Sequence, residues 1–469
     1  MALSRSARRS SRWLALATAV ASAATIAAAP AATPGAPGIG DPYFPGLGNG
    51  GYRPLHYDLG VSYHPDSGRL DGRATLTARA TQDLSAFDLD LQKLTVDRVL
   101  VDGHRAGFSR AGDELVIRPG RTLARGQRFA VTVVYHGVPQ PLSGPIVFGS
   151  KYGWMKTKDG VFVACEPNAA STWFPSSDHP DEKATYDIRI DAPKGLTGVS
   201  NGRLVGTGEH GGRAWFHWRE SRPMAPYLAT ATIGKFDVRT GTTPGGTPIY
   251  VATDPTLPAG KVDVYGVTAA ATDYWSKVFG PYPFEETGAI VDDMPQAGFS
   301  LEVQSKPAYS AVRNETTIVH ELAHQWFGDS VSVRQWKDIW LNEGFATYAQ
   351  WLWAEHKGTA TAHDSFRKAY QGIPADDPFW KIKVSDPQRD TMFAGAVYER
   401  GAMTLQALRE RIGDKAFFKL LPTWTAQHRY GNADTADFIR LAEKVSGRRL
   451  GDLFHTWLDT RTRPALPGK

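Results

Sequence analysis

The hydrophobic period changes midway along this chain of 469 residues. From about Tyr57 to Val238, apolar residues come in short alternating runs such as Phe87-Asp88-Leu89-Asp90-Leu91, Phe129 to Tyr135 and Tyr186-Asp187-Ile188-Arg189-Ile190. Alternation with period two marks strands with one buried face. Turn clusters such as Pro65-Asp66-Ser67-Gly68 and Asp102-Gly103 separate the runs, which predicts an antiparallel β domain. Beyond the Gly/Pro cluster Gly241-Thr242-Thr243-Pro244-Gly245-Gly246 the period becomes helical. Helical segments are expected near Lys261 to Phe279, Glu315 to Phe327, Trp336 to Glu355 and Glu399 to Arg411. Three more follow, near Lys415 to Gln427, Thr435 to Val445 and Leu450 to Trp457. A chain of this length and apolar content is expected to divide, into an antiparallel β domain over 52–243 and a mostly α domain over 244–469. No fixed-period repeat is visible.

Two segments of another kind come first. Residues 1–29 have a basic start (Arg5, Arg8, Arg9, Arg12), an alanine-rich apolar stretch from Trp13 to about Ala29, and small residues suited to cleavage at Ala21-Ser22-Ala23. This is the pattern of an export signal. A membrane anchor is the alternative, but the stretch is short for a bilayer and is followed by Pro30 and Pro34. Arg8-Arg9 leaves the export route open. The net charge of +5 and pI near 9.0 come largely from this leader, since no acid precedes Asp41. The rest is nearly neutral, so no nucleic-acid partner is expected. Residues 30–51 are rich in Pro and Gly and read as a tether into the first domain. The single cysteine, Cys165, excludes an intramolecular disulfide and offers no lipidation site near the leader. The expectation is a secreted protein with no stable membrane association once the signal is removed.

In the helical half, His320-Glu321-Leu322-Ala323-His324 places two imidazoles four residues apart. On a helix that spacing leaves them about 40° apart around the axis and about 6 Å apart along it, so both reach one zinc ion. Glu321 faces the same cleft one step round, in the position of a general base acting on water. A helix that merely carries two histidines is the plainer alternative. Eighteen residues further on, Glu343 lies within Trp340-Leu341-Asn342-Glu343-Gly344-Phe345-Ala346 on a second helical segment. Two His and one carboxylate leave one position open, which is the pattern of a catalytic zinc site and not of a structural one.

His-Glu-x-x-His followed after eighteen residues by Glu in Asn-Glu-Gly-Phe-Ala resembles the aminopeptidase N family of zinc metallopeptidases, of the gluzincin type. The likeness runs from about Tyr52 to Leu466. It implies a thermolysin-like catalytic domain behind the β domain, in a short secreted form without the large C-terminal helical domain of many relatives. It implies one Zn2+ per chain, held by His320, His324 and Glu343, with Glu321 catalytic. Tyr398, in Val397-Tyr398-Glu399-Arg400-Gly401-Ala402, corresponds to the family's oxyanion-stabilising tyrosine. A phenol donor suits the charge of a tetrahedral intermediate. Outside that motif Tyr398 would pass for a core residue.

The resemblance also assigns the substrate amine. Glu302, in Gly298-Phe299-Ser300-Leu301-Glu302-Val303-Gln304, matches the glutamate of the family's Gly-x-Met-Glu-Asn strand, with Leu301 and Val303 replacing Met and Asn. Glu166, in Ala164-Cys165-Glu166, matches a second amine-binding glutamate from the β domain. Read without the family, Glu302 is an exposed strand residue and Glu166 a solvated charge. Ala164, Gly298 and Phe393 would border the pocket for the first side chain, a roomy one for large apolar or basic residues. The implied reaction is hydrolysis of the first peptide bond of peptides with a free amino terminus. A zinc endopeptidase, lacking an amine anchor, and a secreted peptide-binding protein of the same fold, lacking catalysis, are the rival readings.

Overall fold

Alternation in the first half produces an eight-stranded sheet. Its spatial order is Arg203–His210, Arg213–Met224, Ala184–Pro193, Tyr52–His64, Arg69–Ala80, Arg128–Gly137, Thr95–Val101 and His104–Arg105. Neighbours are antiparallel except Ala184–Pro193 with Tyr52–His64, which run parallel. Tyr57, Leu59, Val61 and Tyr63 point to the buried face while Asp58 and Ser62 point away, as period two requires. Tyr57 stacks on Tyr186 across the parallel pair, ring centroids 4.9 Å apart. The architecture is described here from a computed structural model, over residues 1–2, 31–258 and 262–466. The body of the leader expected over 1–29 lies outside the described residues.

A five-stranded sheet reaches the site. Its order is Leu142–Ser143, Lys151–Lys156, Val161–Ala164, Ala231–Gly234 and Thr197–Ser200, and the central strand Val161–Ala164 leads directly to Glu166. A four-stranded sheet contains Thr33–Pro34 beside Leu84–Asp90.

The boundary expected at 243/244 falls inside a hairpin. Asp237–Thr242 pairs antiparallel with Pro248–Thr253, and Thr243 to Thr247 form the turn. Gly and Pro mark tight turns as readily as linkers, and here they mark a turn. The hairpin opens a second five-stranded sheet, ordered Asp237–Thr242, Pro248–Thr253, Thr287–Val291, Ala308–Tyr309 and Ser300–Leu301. Helices pack with it: α1 (Val264–Val278), α2 (Glu315–Ala323), α3 (Trp340–His356), α4 (Ala362–Gly372), α5 (Gly395–Ile412), α6 (Asp414–Gln427), α7 (Thr435–Ser446) and α8 (Gly451–Phe454). Helix α4 was not anticipated, although Thr361 and Asp364 form a capping box at its start. The second half thus combines a sheet with a mostly helical body, behind a β-rich first half.

The segment expected as a tether is docked from Thr33 onward. Thr33 N donates to Asp83 O, Gly50 N to Ala36 O and Asn49 N to Ser177 Oγ. Buried Asp41 accepts from Trp336 N at 2.9 Å and faces His179 Nε2 at 3.1 Å, so it touches both halves. Composition predicted that this stretch could not order alone, and it orders by borrowing partners from the rest of the fold. Residues from Ala32 onward form one compact body. Lys183 adds a staple between the halves, donating to Asp329 O at 2.7 Å and Ser330 O at 3.1 Å.

Candidate metal centre

Helix α2 is started by Asn314, whose side chain accepts from Thr317 N at 2.8 Å. It ends at Ala323, four residues short of the expected end, and just beyond it His324 Nδ1 donates to Phe327 O at 3.0 Å. That bond fixes the tautomer and leaves the Nε2 lone pair facing inward. His320 and His324 face each other with Nε2 atoms 3.1 Å apart. Glu343, in the first turn of α3, brings Oε2 to 3.3 Å from His320 Nε2 and 3.5 Å from His324 Nε2.

The three side chains are buried, and Glu343 Oε2 has no hydrogen-bond donor. Two imidazole nitrogens and a carboxylate oxygen converge within one small volume. A cation fits this arrangement, and the N, N, O donor set suits zinc. The electrostatics agree. Burial alone would push Glu343 up, but the two imidazoles outweigh it and hold the carboxyl at about 2. Burial likewise opposes charge on His324, yet Glu343 and Glu302 outweigh it and drive the imidazole upward. The cluster draws positive charge.

Helices α3 and α5 must lie close for Glu343 and Tyr398 to share this cleft. They cross at Gly344 and Gly401, where a Cβ on Gly344 would sit 2.9 Å from Gly401 Cα. Tyr398 lies one turn before that crossing, its ring nearly parallel to His320 with centroids 6.2 Å apart. Burial, then the negative charge of Glu343, raises its phenol well above the ordinary value, so it is a donor at neutral pH. Glu321 is buried, and burial lifts its carboxyl to about 8.

Glu302, Glu321 and His324 present ligand atoms within 4.8 Å of one another. Glu302 follows the edge strand Ser300–Leu301, and Gln325 clamps it there: Gln325 Nε2 donates to Glu302 O at 3.0 Å and Gln325 Oε1 accepts from Ser305 N at 2.7 Å. Glu166 comes from the first half, with Oε1 buried and unpartnered. Burial, then repulsion from Glu302 and Glu343, lifts its carboxyl well above the carboxylate range. A cavity of about 280 Å3 opens beside these groups, lined by Glu166, Gly298, Phe299, Phe393 and Tyr398 and by Ile146 to Phe148, in the connection between strands Leu142–Ser143 and Lys151–Lys156. Ala164, expected in this wall, is instead wholly buried in its strand, and Ile146 to Phe148 line the cavity.

Residues 53–228 match the family profile described as the Peptidase M1 N-terminal domain, and residues 295–457 match the Peptidase family M1 domain. The chain belongs to peptidase family M1. Aminopeptidase N of Lactobacillus helveticus is 26% identical over 450 residues, covering 88% of this chain and 52% of that protein. Aminopeptidase M1-C of Oryza sativa subsp. japonica is 26% identical over 350 residues, covering 69% of this chain and 39% of that protein. The chain therefore spans about half or less of the length of these curated relatives. The crystal structure of an M1 zinc metallopeptidase from Deinococcus radiodurans superposes with a TM-score of 0.86 at 28% identity, covering 92% of this chain and 99% of that one. A mutant of that metallopeptidase bound to a Tyr-Ser-Ala substrate matches equally well, with a TM-score of 0.86.

Within the M1 fold, Glu166 lies in the N-terminal domain match, and Glu302, the metal triad and Tyr398 lie in the catalytic match. Sequence reasoning missed the residues that hold these in place. Gln325 adjoins His324, and Gln350, two turns after Glu343 on α3, sits 3.1 Å from His320 Nδ1. Tyr227 donates its hydroxyl to Glu302 Oε1 at 3.3 Å. The adjacency of Gln325 to the motif was the one available signal.

Proposed function

We propose that this protein is a secreted zinc aminopeptidase that removes the first residue from peptides with a free amino terminus. The observation that carries the reading is the pair of buried carboxylates, Glu166 and Glu302, between the substrate cavity and the triad His320, His324 and Glu343. Burial makes charge on these two carboxyls costly and raises both, so a cation that arrives with the substrate is what favours their ionised form. An α-ammonium satisfies both. It also sets the register, because the first carbonyl then lies next to the metal position.

Zinc held by the triad would supply Lewis acidity, polarising the scissile carbonyl and making a water more acidic. Glu321 takes the proton of the attacking water and delivers it to the leaving amine. A carboxylate beside the water is suited to both transfers. Tyr398 donates to the developing oxyanion. Glu166 and Glu302 hold the ammonium, so one residue is removed per event. The names of the relatives and the Tyr-Ser-Ala ligand of the solved neighbour support peptide as the substrate.

Export rests on the leader's basic start and apolar alanine run. No described helix is long and apolar enough to cross a membrane. Amino-terminal sequencing of protein recovered from the culture medium should find cleavage within the small-residue region before Pro30.

The reaction class is tested with one peptide in free and N-acetylated form. The free peptide should be trimmed stepwise and the acetylated one left intact, as mass spectrometry of the digests will show. Internal cleavage of both at comparable rates would make this an endopeptidase and remove the amine-anchor roles of Glu166 and Glu302.

A further inference from the structure

The Pro/Gly-rich strap takes no part in the chemistry above, yet an unbroken line of packed groups runs from it to the substrate amine site. Asp41 Oδ1 accepts from Tyr43 N at 2.8 Å and Phe44 N at 3.0 Å, while Oδ2 accepts from Trp336 N. The Tyr43 hydroxyl donates to Asp386 Oδ1 at 2.7 Å and accepts from Gln388 N at 2.8 Å, anchoring the same turn to the catalytic half. Phe44 packs edge-on against Trp336, ring centroids 6.2 Å apart. Trp336 is wholly buried and packs against Tyr227, centroids 5.3 Å apart and planes tilted by 59°. Tyr227, also buried, ends the line with its hydroxyl on Glu302 Oε1.

A glutamate after a short edge strand has several rotatable bonds, and its carboxylate stays in place only if something fixes the oxygens. Gln325 fixes the Glu302 backbone, and the Tyr227 phenol reaches its carboxylate. The phenol is itself fixed, since a tyrosine ring in a filled aromatic stack cannot shift without moving its neighbours. We infer that Tyr227 is a positioning residue for the amine-binding carboxylate Glu302, and that strap residues 41–44 hold Tyr227 in register through Trp336. This rests on the reading of Glu302 as the ammonium anchor.

Two compounds that differ only in the α-amine isolate the effect: leucine hydroxamate and 4-methylpentanoyl hydroxamate, which share the chelating group and the side chain. Their dissociation constants are measured on the zinc-loaded protein by calorimetry. Tyr227→Phe keeps the ring and removes the donor. It should weaken the amine-bearing compound about 10-fold and leave the other within about twofold, the loss expected for a hydrogen bond to a charged group. Phe44→Ala, remote from the site, should shift the same ratio about 3-fold in the same direction, and Phe44→Leu, which restores bulk, should recover it. Equal losses for both compounds, or none, in Tyr227→Phe would overturn the positioning role. A selective loss in Tyr227→Phe with none in Phe44→Ala would overturn the part given to the strap. Equal binding of both compounds by the unaltered protein would instead remove the aminopeptidase reading itself.

Discussion

Glu321 and His324 are three residues apart on the same stretch of chain, and their losses should look entirely different. Glu321 is not one of the triad atoms that converge on the ion position. Glu321→Gln should therefore retain one zinc per chain while turnover falls by roughly 100- to 10,000-fold, the usual worth of a positioned base. His324→Ala should lose the metal to a chelator, because two remaining ligands hold zinc poorly. Metal analysis alongside a rate assay separates the two, and a Glu321→Gln protein that is metal-free or fully active would contradict the role assigned to it. At this scale the sequence was informative where chemistry prescribes both residue type and spacing. His320, His324 and Glu343 obey such a rule and stand together in the structure. Gln325, Gln350 and Tyr227 obey none, since an amide or hydroxyl that steadies another side chain can come from anywhere in the fold.

Among the elements, the crossing of α3 and α5 governs the cleft. Gly344 directly follows Glu343 and Gly401 lies one turn beyond Tyr398, so the contact that brings the helices together adjoins both functional groups. A Cβ on Gly401 would lie 2.8 Å from Gly344 Cα. Gly401→Val should force the helices apart, costing about 1–3 kcal/mol or more as overpacking. The melting temperature should fall and zinc should be lost to a chelator at lower concentration. A normal melt with unchanged zinc retention would show that the crossing has slack. Both glycines were visible in the sequence within their motifs, but their purpose was not, because a helix crossing depends on which faces meet. The Gly/Pro cluster near residue 243 reads in the sequence as a domain boundary, and it lies instead in the turn of a hairpin. Local composition specified a reversal of the chain there, and only the pairing of Asp237–Thr242 with Pro248–Thr253 shows that the reversal lies within one sheet.

Over the whole molecule, the β-then-α order followed from periodicity alone, whereas the docking of 33–51 did not, because its partners are scattered across both halves. A metal held by His320, His324 and Glu343 would add to this cohesion, since its ligands come from α2, the residue that caps it, and α3. Zinc at 1,000 times its dissociation constant should stabilise the fold by about 4 kcal/mol relative to the apo protein. Scanning calorimetry before and after chelation, then with zinc restored, should show a reversible drop of several degrees. An unchanged midpoint would mean that the triad holds no ion in solution.

Glu166, Glu302, Glu343 and Tyr398 come from widely separated parts of the chain: the first two follow strands of different sheets, and the others lie on α3 and α5. A site assembled from such distant pieces cannot ripen gradually during synthesis. It must wait for long-range closure, the slowest class of contact to form. The peptidase activity proposed above would therefore appear only once folding is nearly complete, and a half-made chain would lack it.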